Sequence, residues 1–190
     1  LWQGAMSNAA TILVLGLGNT LLSDDGFGVH VVTMLQRSTA EDGNIDLAHV
    51  KYIDGGTIGL NLLPDVEAAE GLILIDAAEL GAAAGTLALF EGAAMDAQLG
   101  GRKRTPHEVA AFDLIATASM LGRCPGMRAL VAVQPWSVSW GLEPTAPVAA
   151  AIPGACQMVR DIVRRWHDAA PATNPARTTI GSSVIEGAPA

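Results

Sequence analysis

Four aspartates at three places in the chain, and one histidine, are the residues whose types and spacing can do chemistry. Asp24 and Asp25 close the run Gly18-Asn19-Thr20-Leu21-Leu22-Ser23, Asp54 opens Asp54-Gly55-Gly56, Asp76 follows the apolar run Leu72-Ile73-Leu74-Ile75, and His107 follows Thr105-Pro106. Carboxylates brought together repel, which raises some of their pKa values unless a cation or a shared proton compensates. Asp, Asp and His supply oxygen and nitrogen ligands of intermediate hardness, suited to zinc or nickel, and leave positions open for water or a substrate carbonyl. That is the pattern of a catalytic metal rather than a structural one. A plainer reading stands beside it: Asp24 or Asp25 caps a helix starting at Gly26, and Asp54 holds the Asp54-Gly55-Gly56 turn. Each acid alone fits the plainer reading, whereas the three together at strand ends favour a site.

What would gather them is a sheet with its strand ends on one rim. Short apolar runs at Ile12–Leu17, Val50–Ile53, Leu72–Ile75, Thr86–Phe90 and Ala129–Val133 read as five strands. Helix-period segments lie between and after them: Gly26–Gln36, Ile58–Glu70 with a break near Pro64, Glu108–Leu121, and a last one ending near Trp166. Strands without charge suit a sheet covered on both faces, and the alternation predicts an α/β fold with a mainly parallel, doubly wound sheet. In such sheets ligands bind beyond the carboxyl ends of the strands, so the acids are expected to share one rim. His107 falls in the first turn of a helix with a strong start signal: Thr105 as N-cap, Pro106 at the first position and Glu108 closing a capping box. His30, His49 and His167 fall mid-helix, at a strand entry and beside the tail, where none faces the acids.

Several function classes are disfavoured. A formal net charge of -8 opposes attraction to phosphate backbones and anionic lipid, so neither nucleic acid nor membrane is an expected partner. The basic cluster Arg102-Lys103-Arg104 reads as a solvated loop. Two cysteines, Cys124 and Cys156, are far apart and lack CxxC spacing, which fits a reducing cytoplasm. Gly16-Leu17-Gly18 lacks the third glycine of a dinucleotide loop, with Leu21 in its place, and two acids stand where a pyrophosphate would approach. The apolar stretch Ala146–Val159, interrupted by Pro147, Pro153 and Gly154, is too short to span a bilayer. Trp136 and Trp140, with Pro135 and Pro144, form an aromatic loop that either docks a partner or packs against the final helix. A single domain is expected over residues 6–168, with 1–5 a cloning remnant and 169–190 a tail outside the fold.

The block Gly16-Leu17-Gly18-Asn19-Thr20-Leu21-Leu22-Ser23-Asp24-Asp25-Gly26-Phe27-Gly28-Val29 is the most specific feature of the chain. With Asp54-Gly55-Gly56-Thr57-Ile58-Gly59, Asp76-Ala77 after an apolar strand and Thr105-Pro106-His107, it resembles the hydrogenase maturation endopeptidases in order and spacing. Val133-Gln134-Pro135 through Leu142-Glu143-Pro144 resembles the family's closing segment more loosely. The resemblance implies a three-layer α/β/α sandwich around a mainly parallel, twisted sheet of about five strands. It implies an endopeptidase that removes the C-terminal extension of a nickel-iron hydrogenase large subunit after nickel insertion. By the same resemblance Asp25, Asp76 and His107 contact the metal, Asp54 acts in recognition or catalysis, and the protein is a monomer. Many relatives carry Glu at the position of Asp25, whose side chain is one methylene shorter. The expected ion is nickel, held by the protein or brought by the substrate, with zinc or cadmium as other occupants. Two alternatives remain: a nickel-checking chaperone using the same residues without hydrolysis, and a different hydrolase on a similar sandwich.

Overall fold

The computed structural model describes residues 11–42, 49–57, 60–101 and 106–169, with the side chains of 39–42 and 106–110 outside that description. Uncharged Ile, Leu and Val runs make the central strands β1 (Ile12–Leu17) and β3 (Gly71–Ala77), every residue of which is buried. They are flanked by β2 (Val50–Gly56), β4 (Leu87–Glu91) and β5 (Met127–Val133) in the order β2-β1-β3-β5-β4. All neighbours pair in parallel except β4, which runs antiparallel to β5 at the edge.

Because strand side chains alternate, β1 feeds two cores. Ile12 and Val14 pack with α1 (Phe27–Asp42) and α5 (Ala146–Ala169). Leu13, Leu15 and Leu17 pack with α2 (Leu63–Ala68), α3 (Ala93–Leu99) and α4 (Pro106–Met120). The fold is therefore the expected three-layer α/β/α sandwich, and each fully buried aliphatic side chain contributes roughly 1.5–3 kcal/mol to holding it. From β1 the chain crosses by α1 to β2, then returns by α2 past β1 to β3. The winding reverses between β1 and β3, which is where an open α/β sheet forms a crevice beyond its carboxyl ends.

Boundaries differ from the sequence-based expectation where acids and glycines look like terminators. Strands β2 and β3 run on past Ile53 and Ile75, so Asp54 and Asp76 lie in the last residues of the ladder, opposite Gly16 and Ala132. The helix expected from Gly26 begins with a 3-10 turn, Ser23–Gly26, and continues as α1. Pro64 opens α2 rather than breaking it, sitting in the first turn where a missing N–H costs nothing. Helix α3 has no counterpart among the expected elements. Helix α5 runs unbroken past Pro153 and Gly154. Pro153 is exposed, so its ring meets solvent, while Val148, Ile152, Val159, Ile162 and Trp166 hold the buried face. The expected basic loop Arg102–Arg104, the cap Thr105, and the terminal segments 1–10 and 170–190 lie outside the described residues. No helix among the described residues is long and apolar enough to cross a membrane.

Candidate active site

Glycines let the first turn of α1 seat directly on the strand ends. A Cβ on Gly28 would lie 2.1 Å from the Ile75 carbonyl oxygen and 2.5 Å from the Leu17 backbone. One on Gly16 would lie 2.2 Å from the Gly28 carbonyl oxygen, and one on Gly18, whose φ is 116°, would lie 1.7 Å from that of Asp25. No side chain fits such gaps. The spacing of Gly16, Gly18 and Gly28 is thus a geometric requirement for bringing the Ser23–Gly26 turn against β1 and β3.

The turn carries the two adjacent acids, and the structure gives them different work. Asp25 is 3% exposed, and its Oδ2 accepts the Asn19 N–H at 2.8 Å. Asn19 itself is fixed by its side-chain oxygen accepting the Leu21 N–H at 2.9 Å, an Asx turn. Asp76, 1% exposed, sits one step beyond the Gly16–Ile75 pair on the neighbouring strand, with Oδ1 accepting the Ala77 N–H at 2.8 Å. The 3-10 turn packs against β3, so both carboxylates belong to the same rim at the winding reversal. Burying two carboxylates there is costly without a cation or a shared proton, which is the condition a metal site meets.

Asp24, fully buried, does not cap the helix locally. Its carboxylate accepts the N–H groups of Trp136, Ser137 and Thr145 and the Thr145 hydroxyl, all from the segment after β5. Burial alone pushes the Asp24 carboxyl up, but these hydrogen bonds together outweigh it and hold the group below 3.8. Ser23, immediately before, has φ 50°, the one positive value at a non-glycine among the described residues. A left-handed serine costs roughly 1–2 kcal/mol, so the turn is held by its surroundings rather than by local preference.

Asp54 is exposed at the rim of β2, and its Oδ1 accepts the Gly56 N–H at 2.9 Å, so the turn-forming role expected for it is present. It also lines a cleft of about 260 Å³ with Gly18, Asn19, Thr20, Val29, Gly56 and Thr57, directly beside the Asp25 loop. The two capacities are compatible, because Oδ1 alone makes the turn. His107 lies in the first turn of α4, as its sequence signals require, and its side chain is outside the described residues. Among the described side chains, which do not include that of His107, no three His, Cys, Asp or Glu residues form a metal-binding group.

One residue of the site was not assigned from sequence. Gln134, 6% exposed just after β5, has its Oε1 accept the N–H groups of Leu80 at 2.7 Å and Ala82 at 3.3 Å, fastening the loop after Asp76. Its only signal in the chain was a place in the loosely matching closing segment. The aromatic loop leaves Trp136 75% and Trp140 83% exposed, so of the two roles the sequence left open for it, packing against the final helix is not the one these side chains take.

A model of the hydrogenase maturation protease family matches residues 29–162. The chain belongs to that family. It is 35% identical over 156 residues to the hydrogenase expression/formation protein HupD of Bradyrhizobium diazoefficiens, covering 82% of this chain and 79% of that one. It is 41% identical over 124 residues to HupD of Rhodobacter capsulatus, covering 65% of this chain and 57% of the relative's length. Among solved structures, the hydrogenase maturating endopeptidase HybD from E. coli superposes with a TM-score of 0.72 at 30% identity, over 82% of this chain and 93% of that chain. The maturation-protease fold of this chain thus carries three buried carboxylates at its winding reversal, Asp24 bonded to the segment after β5 and Asp25 and Asp76 on the rim.

Proposed function

We propose that this chain is an endopeptidase that removes the C-terminal extension of a nickel-iron hydrogenase large-subunit precursor after nickel has been inserted. The observation that carries the reading is the placement of Asp25 and Asp76, both nearly fully buried, on one rim, with Asp76 near the end of β3 and Asp25 in the Ser23–Gly26 turn that packs against β3. The family supports a protease. The donor chemistry fits a metal: two carboxylates and the His107 imidazole are oxygen and nitrogen ligands that suit Ni²⁺, and equally Zn²⁺ or Cd²⁺. When bound, such an ion polarises the scissile carbonyl or activates water. Asp25, Asp76 and His107 would hold it.

The chain's own residues orient and move protons. Asn19 fixes one oxygen of Asp25 through its N–H, so the other oxygen has a defined direction. Asp54, exposed in the cleft with Oδ1 accepting the Gly56 N–H, has a second carboxylate oxygen able to exchange a proton with water or with a leaving amine. Nickel itself is read here as part of the substrate, which makes the three ligands a sensor of the precursor's maturation state. A cytoplasmic setting accords with Cys124 and Cys156, both free thiols.

The test is to incubate the purified chain with nickel-loaded and nickel-free precursor and follow the extension by intact mass. Cleavage of the loaded form alone is expected. Binding of the loaded form with no cleavage of either would replace the endopeptidase with a nickel-checking chaperone.

A further inference from the structure

We propose that Asp24 is a positioning residue for the substrate: its carboxylate fixes the Trp136–Thr145 loop to the turn bearing Asp25, so that the loop's exposed side chains present the precursor to the rim. The proposal rests on the reading of the chain as a precursor-processing endopeptidase. Trp136 and Ser137 donate their N–H groups to Oδ2 at 2.8 and 2.9 Å, the Thr145 hydroxyl donates to the same oxygen at 2.9 Å, and the Thr145 N–H donates to Oδ1 at 2.6 Å. Between these ends, the Ser23 N–H donates to the Gly141 carbonyl at 2.8 Å and the Gly141 N–H to the Leu21 carbonyl at 3.0 Å. A Cβ on Gly141 would lie 2.3 Å from the Ser23 Oγ, so the two segments touch closely there as well. The loop is therefore held at its start, middle and end by residues 21–24.

What the loop does with its side chains runs against the needs of folding alone. A loop serving stability would bury its aromatics and expose its polar groups. Here the buried member is the Asp24 anchor, while Trp136, Val138, Trp140 and Leu142 stand 52–83% exposed beside Leu21 at 46%. Glu143 is the one charged residue between Trp136 and Thr145, so the precursor segment that meets this surface is apolar. Rigid exposed aromatics give contact area with little ordering cost, which is what presenting a peptide to a fixed pair of acids requires.

Substitutions separate this role from a merely structural one. An amide at position 24 has a single oxygen, so Asp24→Asn sets an NH₂ against at least one N–H, at best that of Thr145. Thr145→Val removes only the hydroxyl bond, and Thr145→Ser keeps both. Affinity for immobilised nickel-loaded precursor and the single-turnover cleavage rate at saturating protein are measured on the full chain. Kd is expected to rise about tenfold or more in Asp24→Asn and about threefold in Thr145→Val, and to stay within about twofold in Thr145→Ser. The saturated rate stays within about twofold throughout. In a Trp140→Ala background the effect of Asp24→Asn on Kd shrinks to under about threefold, because the loop it positions has lost its contact.

An unchanged Kd in Asp24→Asn with a lowered Tm would make Asp24 structural only and overturn the proposal. So would a reduced saturated rate at unchanged Kd, which would place its effect on the acids rather than the loop. If Asp24→Asn does not fold, the Thr145 pair decides by the same criteria. Wild-type protein that binds precursor without cleaving it would refute the endopeptidase reading while the Kd series still tests Asp24; wild-type protein that does not bind would refute both.

Discussion

Gly28→Ala sets two known effects against each other. Alanine at a helical position is favoured over glycine by about 1 kcal/mol, so propensity alone would stabilise α1. The added Cβ, however, would lie 2.1 Å from the Ile75 carbonyl oxygen, where ordinary contact begins near 3.4 Å, so the helix start must retreat by about 1.3 Å. The three nearest atoms, the Ile75 carbonyl oxygen and the Leu17 backbone nitrogen and oxygen, are backbone of β3 and β1, so no side chain can swing aside. Overpacking of a rigid core costs typically about 1–3 kcal/mol and here should stand at or above the top of that range. A net loss of about 2 kcal/mol or more follows, which lowers Tm by about 4–8 °C for a chain of this size. The same retreat carries the Asp25 turn away from Asp76, so cleavage should fall by more than the folded fraction does. Thermal melting and single-turnover cleavage measure both, with Gly126→Ala, whose Cβ would meet nothing within 4 Å, as control. A Gly28→Ala protein with wild-type Tm and rate would refute the claim that backbone contact positions the site.

Asp54→Asn keeps the Oδ1 acceptor for the Gly56 N–H, so Tm should change by under about 2 °C; cleavage should fall at least about tenfold if the exposed charge takes part. Trp166→Ala removes a buried ring that lies within 2.9 Å of where a Cβ on Gly71 would sit, and should cost about 3–5 kcal/mol in urea titration with little change in the rate of the folded fraction. Burial pushes the Cys156 thiol above 9.0. Its raised native value means the contribution is complete below 9.0 and is lost as pH rises through the native value, so stability should decline above about pH 9 and Cys156→Ala should lessen that decline. In the native state Cys124 should alkylate with iodoacetamide well before Cys156.

The central strands were legible because a strand buried on both faces must be a continuous apolar run, and β1 has the expected bounds, Ile12–Leu17. Strand ends were less so: Asp54 and Asp76 carry the composition of turns, yet the ladder continues through them, Asp54 pairing with Gly16 and Asp76 with Ala132. The seven residues of α3, with three alanines in Ala93-Ala94-Met95-Asp96-Ala97, show no long apolar period, and only Met95 and Leu99 reach the core. That acids gather on one rim followed from the sheet alone. Which of Asp24 and Asp25 does what did not, since the partners of Asp24 lie 112 to 121 residues away in the chain and no local pattern encodes them. The glycines were readable as a motif, but their necessity rests on contacts between backbones of different elements.

The most direct measurement is cleavage of nickel-loaded precursor by Asp25→Ala, Asp76→Ala and His107→Ala beside wild type, read by intact mass after circular dichroism and melting have shown each variant folded. The expected result is an intact extension in all three variants and its complete removal by wild type. Processing at the wild-type rate in the folded Asp25→Ala or Asp76→Ala variant would contradict the assignment of the site to the β1–β3 rim.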